Sequence, residues 1–130
     1  MSDLKRITCI EDDPDIRELT RIALQDIGGF TVDLCASGAE AIAKTPAFDP
    51  DIVLLDVMMP EMDGPETFRR LRAIQQLSEK PIVFMTAKVQ PSEIKKYEEM
   101  GAAGVIMKPF DPMTLPDEIR SLWGCVSASS

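Results

Sequence analysis

At 130 residues, 45% of them hydrophobic, the chain is one domain's worth with a real core, and disorder is excluded as its ground state. Lys and Arg number 14 against 22 Asp and Glu, and the net charge of -8 argues against a nucleic-acid or anionic-membrane partner. There is no histidine, which excludes any catalytic scheme with imidazole as base, Ser-His-Asp and Cys-His arrangements included.

Met1-Ser2-Asp3 opens no signal peptide and no apolar run reaches membrane length, so a cytoplasmic protein with reduced thiols is expected. Cys9, Cys35 and Cys125 lack metal or redox spacing and read as small hydrophobes. Five strand-length segments follow one another: Arg6 to Ile10, Thr31 to Cys35, Ile52 to Val57, Pro81 to Met85 and Gly104 to Met107. Ile52-Val53-Leu54-Leu55 and Ile82-Val83-Phe84-Met85 are apolar at consecutive positions, as in strands buried on both faces. A buried helix segment has the same look; length and flanking turn residues favour strands.

Helical patterns lie between them. Asp12-Asp13 caps a run from Pro14 to Ile27, with Ile16, Leu19, Ala23 and Ile27 on one face and Gly28-Gly29 as its stop. Ser37-Gly38-Ala39-Glu40 has capping-box spacing and opens a short helix ending before Pro46. Asp63-Gly64-Pro65 opens a third, with Phe68, Leu71 and Ile74 on one side. Pro91 opens a fourth, carrying Ile94, Tyr97 and Met100 before Gly101. Pro116 delays a fifth to about Thr114 or bends it, and Gly124 ends it. Residues 1–124 then form the domain and residues 125–130 a C-terminal tail, frayed from Val126 to Ser130.

Strand and helix alternate five times. The expected fold is α/β, a doubly wound five-stranded parallel sheet with helices on both faces and the flavodoxin-like strand order 2-1-3-4-5. That order puts a crevice beyond the carboxyl ends of the first and third strands.

Glu11-Asp12-Asp13 follows the first strand and Asp56 ends the third. An acidic cluster after a strand reads, taken alone, as a helix cap or a solvated turn. Asp56, however, ends an apolar stretch where a solvated carboxylate is not expected. Converging carboxylates repel one another unless a positive charge sits among them. An all-oxygen set suits a hard cation, Mg²⁺ better than Ca²⁺ when few protein ligands leave room for water. Lys108, at the end of the fifth strand, is a natural counter-charge or an ordinary surface lysine. Thr86 ends the fourth strand at the same edge, where a turn residue is also common. An aspartate needs no base to act as a phosphoryl acceptor, so a site without histidine suffices for that reaction.

From Leu4 to Trp123 the chain resembles the CheY-like receiver domain of two-component response regulators. The matching stretches are Ile10-Glu11-Asp12-Asp13-Pro14, Ile52 to Pro60 around Asp56, Met62-Asp63-Gly64, Val83 to Ala87, and Lys108-Pro109-Phe110. The resemblance implies Asp56 as phospho-acceptor and Mg²⁺ held by Glu11, Asp12, Asp56 and the backbone carbonyl of Met58, with Glu11 acting through water. It implies Asp13 as a helix cap. Thr86, Ala87 and Lys108 become the phosphoryl-binding and switch residues, with a cis Lys108-Pro109 bond. Implied partners are a histidine kinase or histidine phosphotransfer protein as donor and a downstream protein target, with room for a phosphorylation-linked dimer. Receivers often carry Tyr or Phe where this chain has Val105, so the switch-aromatic position is substituted.

Met58, Met59 and Met62 read as loop and core packing, Tyr97 and Trp123 as helix-face packing, and Gly101 and Gly104 as turn residues. The expected function is a stand-alone receiver signalling by protein contact, with no effector domain after Gly124. A phosphatase with a phospho-aspartyl intermediate is the enzyme alternative, although its nucleophile belongs after a first strand. A docking module that is never phosphorylated is the other.

Overall fold

A computed structural model describes residues 3–87 and 90–129, with side chains as far as Cys125. Five parallel strands, β1 (Arg6–Ile10), β2 (Thr31–Cys35), β3 (Ile52–Asp56), β4 (Ile82–Thr86) and β5 (Gly104–Met107), form one sheet in the order β2-β1-β3-β4-β5. β3 and β4 are buried at every position, which is why they read as unbroken apolar runs. β4 runs one residue later than the sequence pattern suggests, to Thr86, and β3 stops one earlier, at Asp56.

The helices divide between the two faces. α1 (Pro14–Arg21) and α5 (Leu115–Ser129) cover one side, over a cluster that includes Ile7, Leu24, Leu54, Met85, Leu115 and Ile119. α2 (Gly38–Phe48), α3 (Gly64–Arg72) and α4 (Pro91–Glu99) cover the other, over Ile10, Leu55, Phe68, Leu71, Phe84 and Tyr97. Tyr97 thus packs on a helix face as expected, and Trp123 is partly buried. Asp13 caps α1 by accepting from the amides of Asp15 and Ile16, and Asp63 caps α3 by accepting from that of Glu66. Ser37 and Glu40 open α2, Ser37 Oγ accepting from the Glu40 amide and the Glu40 carboxylate from that of Ala36.

Several expectations fail in the helices. The first helical run changes after Arg21 into a π-helical stretch, Ile22–Ile27, so its apolar face is not the one that straight α spacing gives. Ala23 is buried as expected, but Leu19 and Ile27 are 39% and 43% exposed, while Thr20 and Leu24 go inward. Pro46 does not end α2. It has no N–H for the carbonyl four residues back, yet the next turn still closes from Asp49 to Thr45, and Asp49 ends the helix at φ 54. α5 begins late, as Pro116 requires, but runs through Gly124 to Ser129; no left-handed turn occurs at that glycine. The frayed tail is therefore helical backbone as far as Ser129, and Ser130 lies outside the described residues.

Two glycines set close approaches. Gly64 lets the start of α3 sit on the end of β3, since a Cβ there would lie 2.5 Å from the Asp56 carbonyl oxygen. Gly104 is a strand residue and not a turn; a Cβ would meet Leu122 of α5 at 2.8 Å. Cys9 and Cys35 are fully buried, and burial pushes both thiols up to about 12, consistent with packing residues.

Candidate functional site

The strand order brings the carboxyl ends of β1, β3, β4 and β5 to one edge of the sheet. Glu11 follows β1, Asp56 ends β3, Thr86 ends β4, and Lys108 follows β5. Register links them: Asp56 pairs with Met85, and Thr86 with Met107. The Lys108 amide then donates to the Thr86 carbonyl at 2.9 Å, holding the end of β5 against β4, and Lys108-Pro109 is cis.

Lys108 Nζ stands between two carboxylates, donating to Glu11 Oε1 at 2.6 Å and to Asp56 Oδ1 at 2.8 Å. All three side chains are largely shielded from solvent, 14% exposed for Lys108, 2% for Glu11 and 6% for Asp56. A buried carboxylate without such a partner would be strongly disfavoured in its charged form. The second Glu11 oxygen accepts from the Asp13 amide at 3.2 Å. Arg17 of α1 donates to the Glu11 carbonyl at 2.9 Å and the Asp12 carbonyl at 3.5 Å, fixing the backbone of the acidic turn.

Glu11, Asp12 and Asp56 each offer an oxygen, and these oxygens lie within 4.8 Å of one another. One ammonium does not balance three carboxylates, and the surplus appears as a proton affinity. Burial, reinforced by Asp56 and opposed by Lys108, raises the Glu11 pKa to about 7. At Lys108 burial works against the charge, but the bonds to Asp56 and Glu11 outweigh it and raise the pKa above the ordinary lysine value. An all-oxygen set with residual negative charge and one partly exposed member, Asp12, fits a hard divalent cation that retains water.

Glu11, Asp12, Asp56, Met58, Thr86, Ala87 and Lys108 all line a single cleft of about 270 Å³. Val105 lies elsewhere, beside the Phe84 and Tyr97 cluster. The Met58 side chain is 67% exposed at the cleft mouth and does no packing, unlike Met59, which is buried. Met62 fits the packing expectation, its sulfur lying 2.8 Å from where a Cβ of Gly38 would be.

Sequence reasoning missed the surroundings of this cleft. Ile16, assigned there to the core face, lines it, and Ile16, Leu19, Pro109 and Phe110 border an adjoining apolar cavity of about 400 Å³. Arg17 was also missed; its only signal is a cation one helical turn beyond the acidic triplet.

Residues 7–120 match the profile of the response regulator receiver domain family. The chain is a response regulator receiver domain. Response regulator Rre1 of Synechocystis sp. is 34% identical to the receiver over 121 residues, 93% of this chain and 52% of that protein. DNA-binding response regulator MtrA of Mycobacterium tuberculosis is 37% identical over 117 residues, 90% of this chain and 50% of that protein. The receiver thus spans about half the length of these curated relatives. The chemotaxis response regulator CheY4 of Vibrio cholerae superposes with a TM-score of 0.85 at 31% identity, over 92% of this chain and 99% of that one. Receivers of this family are phospho-acceptor switches of two-component signalling that meet histidine kinases or phosphotransfer proteins. Among the described residues no helix is long and apolar enough to cross a membrane.

Proposed function

We propose that this receiver takes a phosphoryl group onto Asp56 from a phosphohistidine on a histidine kinase or histidine phosphotransfer protein. The observation that carries it is the buried Asp56 carboxylate with Lys108 Nζ 2.8 Å from Oδ1, at the floor of an acidic cleft open to a donor. Glu11, Asp12 and Asp56, with the backbone carbonyl of Met58, would hold Mg²⁺, which when bound supplies charge neutralisation for the phosphoryl oxygens. Asp56 attacks as an ionised carboxylate: the donor's P–N bond breaks, a P–O bond forms, and the leaving ring nitrogen takes up a proton. Lys108 stays within reach of the new phosphoryl oxygens, and Thr86 and Ala87, at the end of β4, line the cleft where a hydroxyl and an amide can meet them.

The signal then leaves by contact with a downstream protein; the net charge of -8 supports that over direct nucleic-acid contact. Mutual near-complete coverage with the Vibrio cholerae chain supports a receiver acting as a unit of its own in the cytoplasm. A native gene product much longer than 130 residues on an immunoblot would overturn that part alone. For the phosphoryl acceptor itself, acetyl phosphate with Mg²⁺ is expected to give an acid-stable, hydroxylamine-sensitive adduct that Asp56→Asn lacks. A wild-type chain that stays unmodified under those conditions refutes the assignment.

A further inference from the structure

Three aromatic rings cross the α2–α3–α4 side of the core in a line. Phe68 of α3 stacks on Phe84 of β4 with centroids 5.4 Å apart, and Phe84 meets Tyr97 of α4 at 4.7 Å. Phe84 stands two residues before Thr86 on one strand, so both side chains leave β4 on the same face. The register partner of Phe84 is Val105 of β5, which packs against the same cluster. Because Val105 is small, the space beside Phe84 is filled from the helix side by the Tyr97 ring.

Tyr97 spans from the core to the surface. It is 4% exposed, yet its hydroxyl donates to Glu93 Oε2 at 3.2 Å, one turn earlier on α4. Its carbonyl accepts from the amides of Met100 and Ala102, so its backbone is tied to the turn that leads into β5. In a close-packed interior a displaced ring moves its neighbour, because no void absorbs the shift. A change at the end of β4 therefore reaches Glu93 through two ring contacts.

We propose that Tyr97 carries the state of the phosphoryl site to the outer face of α4: movement of Thr86 toward a phosphorylated Asp56 shifts Phe84, and Phe84 repositions Tyr97 and its bond to Glu93. This rests on the Asp56 phosphorylation proposed above. It makes α4 around Glu93 and Tyr97 the surface whose shape differs between the two states, and so the surface a partner reads.

Tyr97 is the single tyrosine of the chain, so 3-fluorotyrosine labelling of the full chain gives one ¹⁹F resonance. Saturation with Mg²⁺ and beryllofluoride, monitored in parallel by the thermal midpoint, is expected to raise the midpoint and displace that resonance. Phe84→Leu and the more nearly volume-conserving Phe84→Met are expected to keep the rise in midpoint and reduce the displacement severalfold. A raised midpoint with an unmoved resonance overturns the Tyr97 role and leaves Asp56 phosphorylation standing. Full displacement in whichever Phe84 variants fold and bind beryllofluoride also overturns it. No rise in the wild-type midpoint overturns both proposals.

Discussion

The two faces of the sheet are built from different material. On the α1–α5 side the core is mainly aliphatic, and the Lys108-bridged carboxylates stand at its upper edge. The other side holds the Phe68, Phe84 and Tyr97 rings and reaches the surface through the tyrosine hydroxyl. The difference teaches a division of labour. Short-range charge interactions need fixed positions and little else, and rigid strand ends under aliphatic packing provide them. Moving information to a distant surface needs large, stiff, contiguous side chains, and aromatic rings provide those.

Four measurements test this division, beginning with the largest effect. Asp56→Asn should abolish adduct formation from acetyl phosphate, read by intact mass, while leaving the urea midpoint nearly unchanged. A residual adduct in that variant would place the acceptor elsewhere in the cleft.

Phe84→Ala should cost about 3–5 kcal/mol in urea unfolding, because it opens a cavity between two other rings. On the opposite face Ile119→Val should cost only about 0.5–1.5 kcal/mol. Comparable losses for the two would show that the ring line is no more tightly packed than its aliphatic counterpart.

The third measurement follows from Glu11. Its folded pKa of about 7 lies above the ordinary glutamate value, so the folded chain holds a proton across that window that the unfolded chain has released. This group's contribution to stability is therefore greatest at low pH and falls as pH rises toward 7 in the absence of metal. Ligation requires the carboxylate, so Mg²⁺ affinity measured calorimetrically should drop about tenfold per pH unit below 7 and level off above it. Glu11→Gln should bind weakly and without that slope. A wild-type affinity flat from pH 5 to 8 would remove Glu11 from the ligand set.

The smallest effect concerns α5. Gly124 lies inside the helix with nothing within 4 Å of where a Cβ would stand, so Gly124→Ala should stabilise the chain by up to about 1 kcal/mol. Destabilisation would mean instead that the helix turns off at this glycine.

The charged site was legible in the sequence because each of its members follows or ends an apolar run. Asp56 after Ile52-Val53-Leu54-Leu55 and Lys108 after Gly104 to Met107 are conspicuous for that reason, and the parallel strand order puts such endings on one edge. The aromatic line was not legible. Tyr97 appeared as one apolar position on α4, and nothing local indicates that its neighbour is Phe84, thirteen positions earlier on another element. The helix errors have a common source. Leu19 and Ile27 were placed by constant 3.6-residue spacing, which the π-helical stretch abandons. Pro46 and Gly124 were read as stops because of their local propensity, yet both helices continue through them.

The bond between Lys108 and Glu11 joins positions 97 apart in the chain, and Asp56 lies between them. Neither the first half nor the second half of the polypeptide contains the site. β1 and β5 must both be in the sheet, with β3 and β4 between them, before the ammonium reaches either carboxylate. A partly made or partly folded chain therefore has aspartates but no receptive one. The cell obtains a form of quality control from this arrangement, since only molecules that have completed folding can be counted in the signal.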